Sequence, residues 1–374
     1  LQKITLVLLS AGSSSRFGIK TKKQWLYQKD KPLWLKVAED FKKSFDFKEI
    51  VIVAPQEDIN YMQKFANYTF VVGGTTRQES LKNALKVVDS KWVMVSDVAR
   101  CCIDKKLIKR LIKNRKRADS IIPALNAVDT LYQNNLPINR EEIKIIQTPQ
   151  LSRVKILKRA LDSHKNYTDD SSAIKDIGGS IYFVEGSQKA HKLTYVDDLK
   201  RLSCLKAPSK EFFVGIGIDI HPFEEYKKMY LGGVEIDVDF GFKAHSDGDV
   251  AIHSLIDSLL GASSMGDIGE LFPDDDESFK GIDSKILLQR VVELINHRGF
   301  EIVNVDLTIV AQKPRLKDYK KNISQTLAKI LKIPLHRVNI KATTAEKMGF
   351  VGRKEGVLVQ SVATLKYFDW RVLR

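Results

Sequence analysis

An α/β fold in two unlike parts is the expectation for this 374-residue chain, and three observations carry it. Short apolar and β-branched runs alternate with stretches of helical spacing. The positive charge is confined to the first part. A short connector, Leu205-Lys206-Ala207-Pro208-Ser209-Lys210, brings proline and small polar residues between a helix end and a new strand. Length alone points to about two to three domains, and the boundary is placed between domains 1–208 and 209–374. No internal repeat or low-complexity tract marks the chain, so the two parts are read as a fusion of unlike domains.

In order along the chain, strands are expected at residues 5–9, 50–54, 70–72, 92–96 and 120–123. Residues 78–88 and 105–117 between them carry helical spacing. The alternation predicts a mostly parallel sheet with helices on both faces. Ligands of such sheets bind beyond the carboxyl ends of the strands. The second part is expected to form a smaller α/β domain. Its strands fall near 212–220, 302–310, 338–342 and 357–365, with helices over one face.

Residues 1–210 hold 39 Lys+Arg against 22 Asp+Glu, net +17, whereas residues 211–374 hold 22 against 24, net −2, together the chain's +15. A basic domain suits polyanions such as nucleoside triphosphates or nucleic acid. Much of the excess, including Lys113-Asn114-Arg115-Lys116-Arg117, reads as a solvated helix end. Three cysteines, with Cys101 and Cys102 adjacent, fit neither a disulfide framework nor a Cys-rich zinc site. A reducing, cytoplasmic setting is therefore expected. No run approaches the roughly 18 apolar residues of a membrane span, and the apolar run at 4–9 leads into a glycine loop rather than a cleavage site.

Three loops follow strands of the first part. Ser10-Ala11-Gly12-Ser13-Ser14-Ser15-Arg16, continuing to Lys22-Lys23-Gln24, has small residues whose amides can cradle a polyphosphate, with Arg16 and Lys23 as mobile charge. It is neither a P-loop nor a dinucleotide fingerprint. Gly73-Gly74-Thr75-Thr76-Arg77-Gln78-Glu79-Ser80 enters a helix. Its amides can reach a nucleobase or sugar, or simply cap that helix. At Val95-Ser96-Asp97-Val98-Ala99-Arg100, Asp97 can hold the Mg²⁺ of a triphosphate. Alone, it reads rather as a helix cap or an ion-pair partner.

The second part opens on Asp219-Ile220-His221, followed by Ala244-His245-Ser246-Asp247-Gly248-Asp249. In a strand Asp219 and His221 project together, with Ile220 expected to pack into the sheet behind them. His245 is expected to close a three-ligand site. One carboxylate and two imidazoles suit Zn²⁺ and leave a position open for water or phosphate. His253, three residues from Ile256 on an expected helix, is read as structural.

Several motifs of the second part occur in one order: Gly215-Ile216-Gly217-Ile218-Asp219-Ile220-His221, Leu231-Gly232-Gly233-Val234, residues 244–250, Met265-Gly266-Asp267-Ile268-Gly269-Glu270 and Ala342-Thr343-Thr344-Ala345-Glu346-Lys347. Over 212–366 they resemble 2-C-methyl-D-erythritol 2,4-cyclodiphosphate synthase. The three loops of the first part join Thr148-Pro149-Gln150, Thr168-Asp169-Asp170-Ser171-Ser172-Ala173 and Lys192-Leu193-Thr194-Tyr195-Val196-Asp197-Asp198-Leu199. Over residues 3–205 these resemble 2-C-methyl-D-erythritol 4-phosphate cytidylyltransferase. The first domain departs from that pattern at Ser96 and Val128, where the family commonly has His and a basic residue.

The resemblance implies a Rossmann-like nucleotidyltransferase domain fused to a smaller α/β cyclodiphosphate synthase domain. In the first, Arg16, Lys23 and Lys192 are implied to be catalytic, Gly12, Gly74 and Ser80 to contact cytidine, and Asp97 to hold Mg²⁺. Thr130, Arg140, Thr148 and Lys192 are implied to bind methylerythritol phosphate. In the second, Asp219, His221 and His245 are implied to hold zinc, and Glu346 a second divalent ion, Mg²⁺ or Mn²⁺, in a catalytic role. Ser246, Asp267, Lys313, Thr343, Thr344, Phe350 and Arg353 are implied substrate contacts, with the acidic stretch 274–276 a loop that can touch substrate.

Further implications are trimeric contacts through the second domain, dimeric contacts through the first, and a separate pathway kinase acting between the two reactions. Neither nucleic acid nor membrane is an expected partner. Two alternatives stay open at this point. The first domain can be a cytidylyltransferase for another polyol phosphate, or a basic RNA-binding module, although no RNP-like motif or aromatic platform is visible.

Overall fold

The computed structural model describes residues 3–163, 165–244, 246–273, 275–279 and 281–373. His245 and Asp274 lie outside the described residues. The chain forms two compact units, Leu1–Pro208 with Asp369–Arg374, and Ser209–Phe368. The boundary expected at 208/209 therefore has an addition, because the last residues rejoin the first unit. Trp370 accounts for this: it is fully buried, and its indole N–H donates to the Tyr27 carbonyl at 2.8 Å.

The first unit runs β1 (Ile4–Leu9), β2 (Tyr27–Gln28), β3 (Lys31–Pro32), α1 (Leu33–Ser44), β4 (Glu49–Ala54), α2 (Gln56–Gln63), β5 (Thr69–Val72), α3 (Arg77–Val87) and β6 (Trp92–Asp97). It continues with α4 (Lys105–Asn114), β7 (Ser120–Asn126), β8 (Leu131–Gln133), β9 (Leu136–Ile138), β10 (Lys144–Ile146), β11 (Gln150–Arg153), α5 (Val154–Leu161), α6 (Asp170–Asp176) and β12 (Ile181–Glu185). The main sheet has the order β10-β7-β11-β6-β1-β4-β5, with β12 paired to β7. Pairs β6/β1, β1/β4, β4/β5 and β7/β12 are parallel, while β11 runs antiparallel between β6 and β7.

One face of this sheet packs Val7, Val51, Val53, Val93 and Val95 against Leu81 and Leu85 of α3, Leu157 of α5 and Ile174 of α6. The alternate residues Leu6, Leu8, Ile52 and Met94 are equally buried. A parallel sheet covered on both faces reads as unbroken apolar runs, which is why these strands were legible. The strand ends at Leu9 and Asp97, paired in register, bring the first and third loops side by side.

The cysteine expectation is corrected here. Cys102 and Cys204 form a disulfide, with Cα atoms 5.5 Å apart across a separation of 102 residues. Only Cys101 is free, and it is buried. Spacing along the chain carries no signal for so distant a pair.

The second unit runs β13 (Phe212–Glu225), β14 (Met229–Leu231), β15 (Val234–Ile236), β16 (Phe240–Phe242), α7 (Val250–Ala262), α8 (Ile268–Leu271), α9 (Ser284–His297), β17 (Phe300–Val310), α10 (Lys320–Leu331), β18 (Val338–Thr343), α11 (Gly349–Gly352) and β19 (Gly356–Tyr367). Its sheet has the order β16-β13-β19-β17-β18. Along β13 the pleat sends Gly215 and Gly217 to a buried face and Val214, Ile216, Ile218 and Ile220 to an exposed one. A Cβ on Gly217 would stand 1.9 Å from the Ser254 carbonyl oxygen of α7, and one on Gly215 would stand 2.1 Å from that of Ser258. Glycine therefore lets α7 lie directly on the strand.

Ile220 consequently does not pack into the sheet as expected. It is 48% exposed on the uncovered face, because α7 occupies the side that Asp219 and His221 share with the glycines.

Candidate active sites

A cavity of about 460 Å³ opens at the carboxyl ends of β1 and β6. Gly12, Arg16, Lys23, Gly74, Ser80, Asp97 and Lys192 all line it, so seven expected site residues meet in one place. Local folding explains their positions. The Lys23 amide donates to Ser14 Oγ at 3.1 Å, which folds the basic end of the loop back over its small residues. Thr76 caps α3 by accepting from the Glu79 amide at 3.0 Å, and Ser80 Oγ accepts from the Gly74 amide at 3.0 Å. The second loop therefore both caps its helix and lines the cavity.

Cations converge on Asp97. The Lys192 ammonium lies 2.6 Å and the Arg77 Nε 3.5 Å from its carboxylate oxygens. Burial disfavours the charged carboxyl, but Arg77, Lys192 and Arg100 outweigh it and hold Asp97 below the usual carboxylate range. Arg77 also pairs at 2.7 Å with Asp170, a fully buried side chain at the start of α6. Burial first, then Arg16 and Lys192, push the Lys23 ammonium down to about 8. Such crowding of cations suits a polyanion, whose charge relieves their repulsion.

Arg77 and Asp170 were missed as contributors to this site. Both stand within quoted motifs, but only the fold places one guanidinium between carboxylates from two of them. Thr148 lies just behind the cavity, where its Oγ1 accepts from the Asp97 amide at 3.4 Å. Thr130 and Arg140 do not line the cavity. Thr130 is exposed in the loop before β8, and Arg140 donates to the Val128 carbonyl at 2.7 Å.

In the second unit a cavity of about 510 Å³ is lined by Asp219, His221, Ser246, His253 and the acidic residues Asp275 and Asp276. Donor atoms of Asp219, His221 and His253 lie within 4.8 Å of one another. Among the described residues His253 is thus the second imidazole of the cluster, where the sequence reading made it structural. Its helical position sets it on the face of α7 that meets β13, one turn beyond the Asp249 cap. That cap is buried and also accepts from the amides of Gly232 and Gly233 at 2.8 and 2.6 Å, tying two motifs together. An imidazole on the strand-facing side of a glycine-seated helix was the available signal.

Asp219 Oδ2 stands 3.1 Å from His221 Nδ1 and 3.4 Å from His253 Nδ1. Burial opposes its charge, yet the two imidazoles outweigh this and hold it well below the usual carboxylate range. Buried Asp219 Oδ2 and His221 Nδ1 nevertheless lack a hydrogen bond of good geometry. Atoms that are close, buried and unsatisfied fit a divalent cation between them. The far side of His253 is fixed, with Nε2 3.0 Å from Ser284 Oγ, which in turn donates to Asp247. Outer partners of this type orient a metal-binding imidazole.

Asp267 caps α8 beside this cavity through the Glu270 amide at 2.9 Å. The remaining expected residues stand elsewhere. Thr344 Oγ1 donates to Glu346 at 2.6 Å at the exposed end of β18. Arg353 is engaged with Glu355, and Phe350 sits in α11. Lys313 lines a separate cavity with Phe223 and Lys354.

Residues 4–205 match the 2-C-methyl-D-erythritol 4-phosphate cytidylyltransferase family, and residues 212–366 match the YgbB family. Bifunctional enzyme IspD/IspF of Sulfurovum sp. is 56% identical over 368 residues, covering 98% of this chain and 99% of the relative. That of Aliarcobacter butzleri is 53% identical over 369 residues, covering 98% and 99%. The solved structure of bifunctional IspDF from Campylobacter jejuni superposes with a TM-score of 0.92 at 49% identity, covering 99% of this chain and 100% of that one. The chain belongs to the bifunctional IspD/IspF family. It is accordingly an enzyme of the non-mevalonate isoprenoid pathway, with a cytidylyltransferase domain followed by a cyclodiphosphate synthase domain. IspD/IspF membership decides against the polyol-phosphate and RNA-binding alternatives. No helix among the described residues is long and apolar enough to cross a membrane.

Proposed function

We propose that the cavity of the first unit binds CTP and methylerythritol phosphate. In this reading Arg16, Lys23 and Lys192 neutralise the triphosphate, while Gly12, Gly74 and Ser80 contact cytidine. Their meeting with Asp97 in one cavity beyond the strand ends, with Lys192 paired to that carboxylate, supports it most. A phosphate oxygen of the substrate attacks the α-phosphorus of CTP and pyrophosphate leaves. Negative charge grows on the α-phosphoryl oxygens and the leaving group, where Arg16, Lys23 and Lys192 stabilise it. Thr148 and Lys192 are assigned to the second substrate from the same chain, and Thr130 and Arg140 from outside the cavity.

In the second unit, Asp219, His221 and His253 are assigned as zinc ligands, His245 being the sequence expectation that lies outside the described residues. The 2-phosphate of phosphorylated CDP-methylerythritol attacks the β-phosphorus of the same molecule and CMP leaves, so positioning accounts for much of the rate. When bound, the divalent cations at Asp97 and at the zinc ligands act as Lewis acids that orient and neutralise phosphate oxygens. Ser246 and Asp267 shape the methylerythritol pocket.

Thr343, Thr344, Glu346 with a second Mg²⁺ or Mn²⁺, Lys313, Phe350 and Arg353 are assigned to the nucleotide end. Their separation from the zinc ligands within one chain supports a site completed by a second copy. The exposed row Phe212, Val214, Ile216, Ile218 and Ile220 supports a trimer built on that sheet face. A charge in this row should prevent assembly. Ile218→Glu is expected to sediment as a smaller species than the parent and to lose cyclisation; an unchanged sedimentation coefficient would count against the trimer.

Phosphorus NMR tests the central reading. With CTP, 2-C-methyl-D-erythritol 4-phosphate and Mg²⁺, the chain should yield a diphosphate diester and pyrophosphate. Another enzyme, a kinase, must phosphorylate that product before the second domain can use it. Failure to react in the presence of demonstrable cyclase activity would refute the assignment of the first cavity.

A further inference from the structure

The three cysteines of the chain have sulfur atoms within 4.8 Å of one another. Cys102 and Cys204 are joined, and they line a cavity of about 410 Å³ together with Lys36, Asp40, Lys189 and Arg201. Three cations against one carboxylate, itself paired with Lys36 at 3.0 Å, favour an anionic visitor. Cys101 is buried away from it, and burial pushes its thiol up to about 11, so it stays a thiol rather than an attacking thiolate.

The position of this bond links it to the nucleotide cavity. Cys102 ends the segment that begins at Asp97, and Val98 and Ala99 of that segment line the cavity. Cys204 ends the segment that begins at Lys192. The two segments are also joined by the Leu193 amide donating to the Ala99 carbonyl at 2.8 Å and by Arg100 donating to the Ala190 carbonyl at 2.5 Å. The disulfide therefore closes the far end of the frame that sets Lys192 against Asp97.

We propose that Cys102–Cys204 is a thiol-exchange site for small anionic thiols and disulfides of the glutathione class, whose state sets how firmly the Asp97 and Lys192 segments are held across the nucleotide cavity. Reduction starts at Cys204, which is half-buried where Cys102 is buried. A small thiolate attacks it, the S–S bond breaks and the electron pair leaves on Cys102. A second thiolate then attacks the small-molecule sulfur of the mixed disulfide and releases Cys204. The sum is one protein disulfide plus two small thiols giving two protein thiols and one small disulfide. Other anchors keep the reduced segment in place. Leu202 and Leu205 are buried, and the Lys206 amide donates to Gln28 at 2.5 Å.

The test uses the full chain, equilibrated in reduced and oxidised glutathione buffers and then acid-quenched. Thiol titration of the oxidised, denatured protein should find one free thiol and that of the reduced protein three. In Cys102→Ser, oxidised glutathione should leave a mixed disulfide on Cys204, read by mass. The functional arm rests on the CTP assignment above. Reduction should raise KM for CTP about fivefold or more, Cys204→Ser should show that value in both buffers, and cyclisation should not change. Three free thiols in every buffer, or a metal ion held by the three sulfurs instead of a bond, would overturn the exchange site. Closure without any change in KM for CTP would overturn its control of the nucleotide cavity. Normal thiol counts with no cytidylyl transfer in either state would uphold the exchange site and refute the CTP assignment.

Discussion

Exchanging His253 for glutamine is expected to lower cyclisation by about 10²–10³-fold, while cytidylyl transfer by the same protein is unchanged. Glutamine keeps most of the volume and can still meet Ser284, whose hydroxyl lies 3.0 Å from the imidazole Nε2. What it loses is the nitrogen turned towards Asp219 at 3.4 Å. Bound zinc, measured on the purified variant, should fall with activity, because a site of three protein ligands loses much of its affinity with one. His245→Gln is the companion measurement. Retained zinc there, with loss in His253→Gln, would fix the ligand set as Asp219, His221 and His253. The reverse pattern would restore the sequence expectation. Zinc and activity at the parent's level in both variants would exclude both histidines as ligands.

The contrast between these histidines shows what a sequence can reveal. Asp219-Ile220-His221 was legible because two residues of a strand share a face whatever lies around it. His253 was not, since a histidine on an apolar helix acquires a role only from the element it meets. The element was written elsewhere, in Gly215 and Gly217, whose missing side chains admit α7. Ile220 was misplaced for the same reason: the strand's alternation was clear, but which face α7 covered was not. Arg77 and the Cys102–Cys204 bond likewise depend on segments distant in sequence. In the first domain, by contrast, doubly covered strands and the loops after them were local features, and the residues expected at those loops do meet in one cavity.

That convergence makes the pH dependence of cytidylyl transfer the second large effect. Lys23 carries its charge against burial and two neighbouring cations, which bring its ammonium down to about 8 in the free protein. If the protonated form is what receives the triphosphate, kcat/KM for CTP holds below pH 8 and falls as pH rises through it, approaching about tenfold per pH unit. The direction follows from the charge: raising pH turns Lys23 neutral and removes a partner of the polyanion. Lys23→Ala should lose about 10²–10³-fold in turnover and with it that alkaline limb, while cyclisation and thermal unfolding stay near the parent's. Lys23→Arg remains charged far above this range, so its profile should flatten even though its maximum is lower. The arginine variant separates Lys23 from other groups that titrate at alkaline pH, including those that govern metal binding. A limb that persists in Lys23→Arg would place the titration elsewhere, and full turnover in Lys23→Ala would take Lys23 out of the reaction.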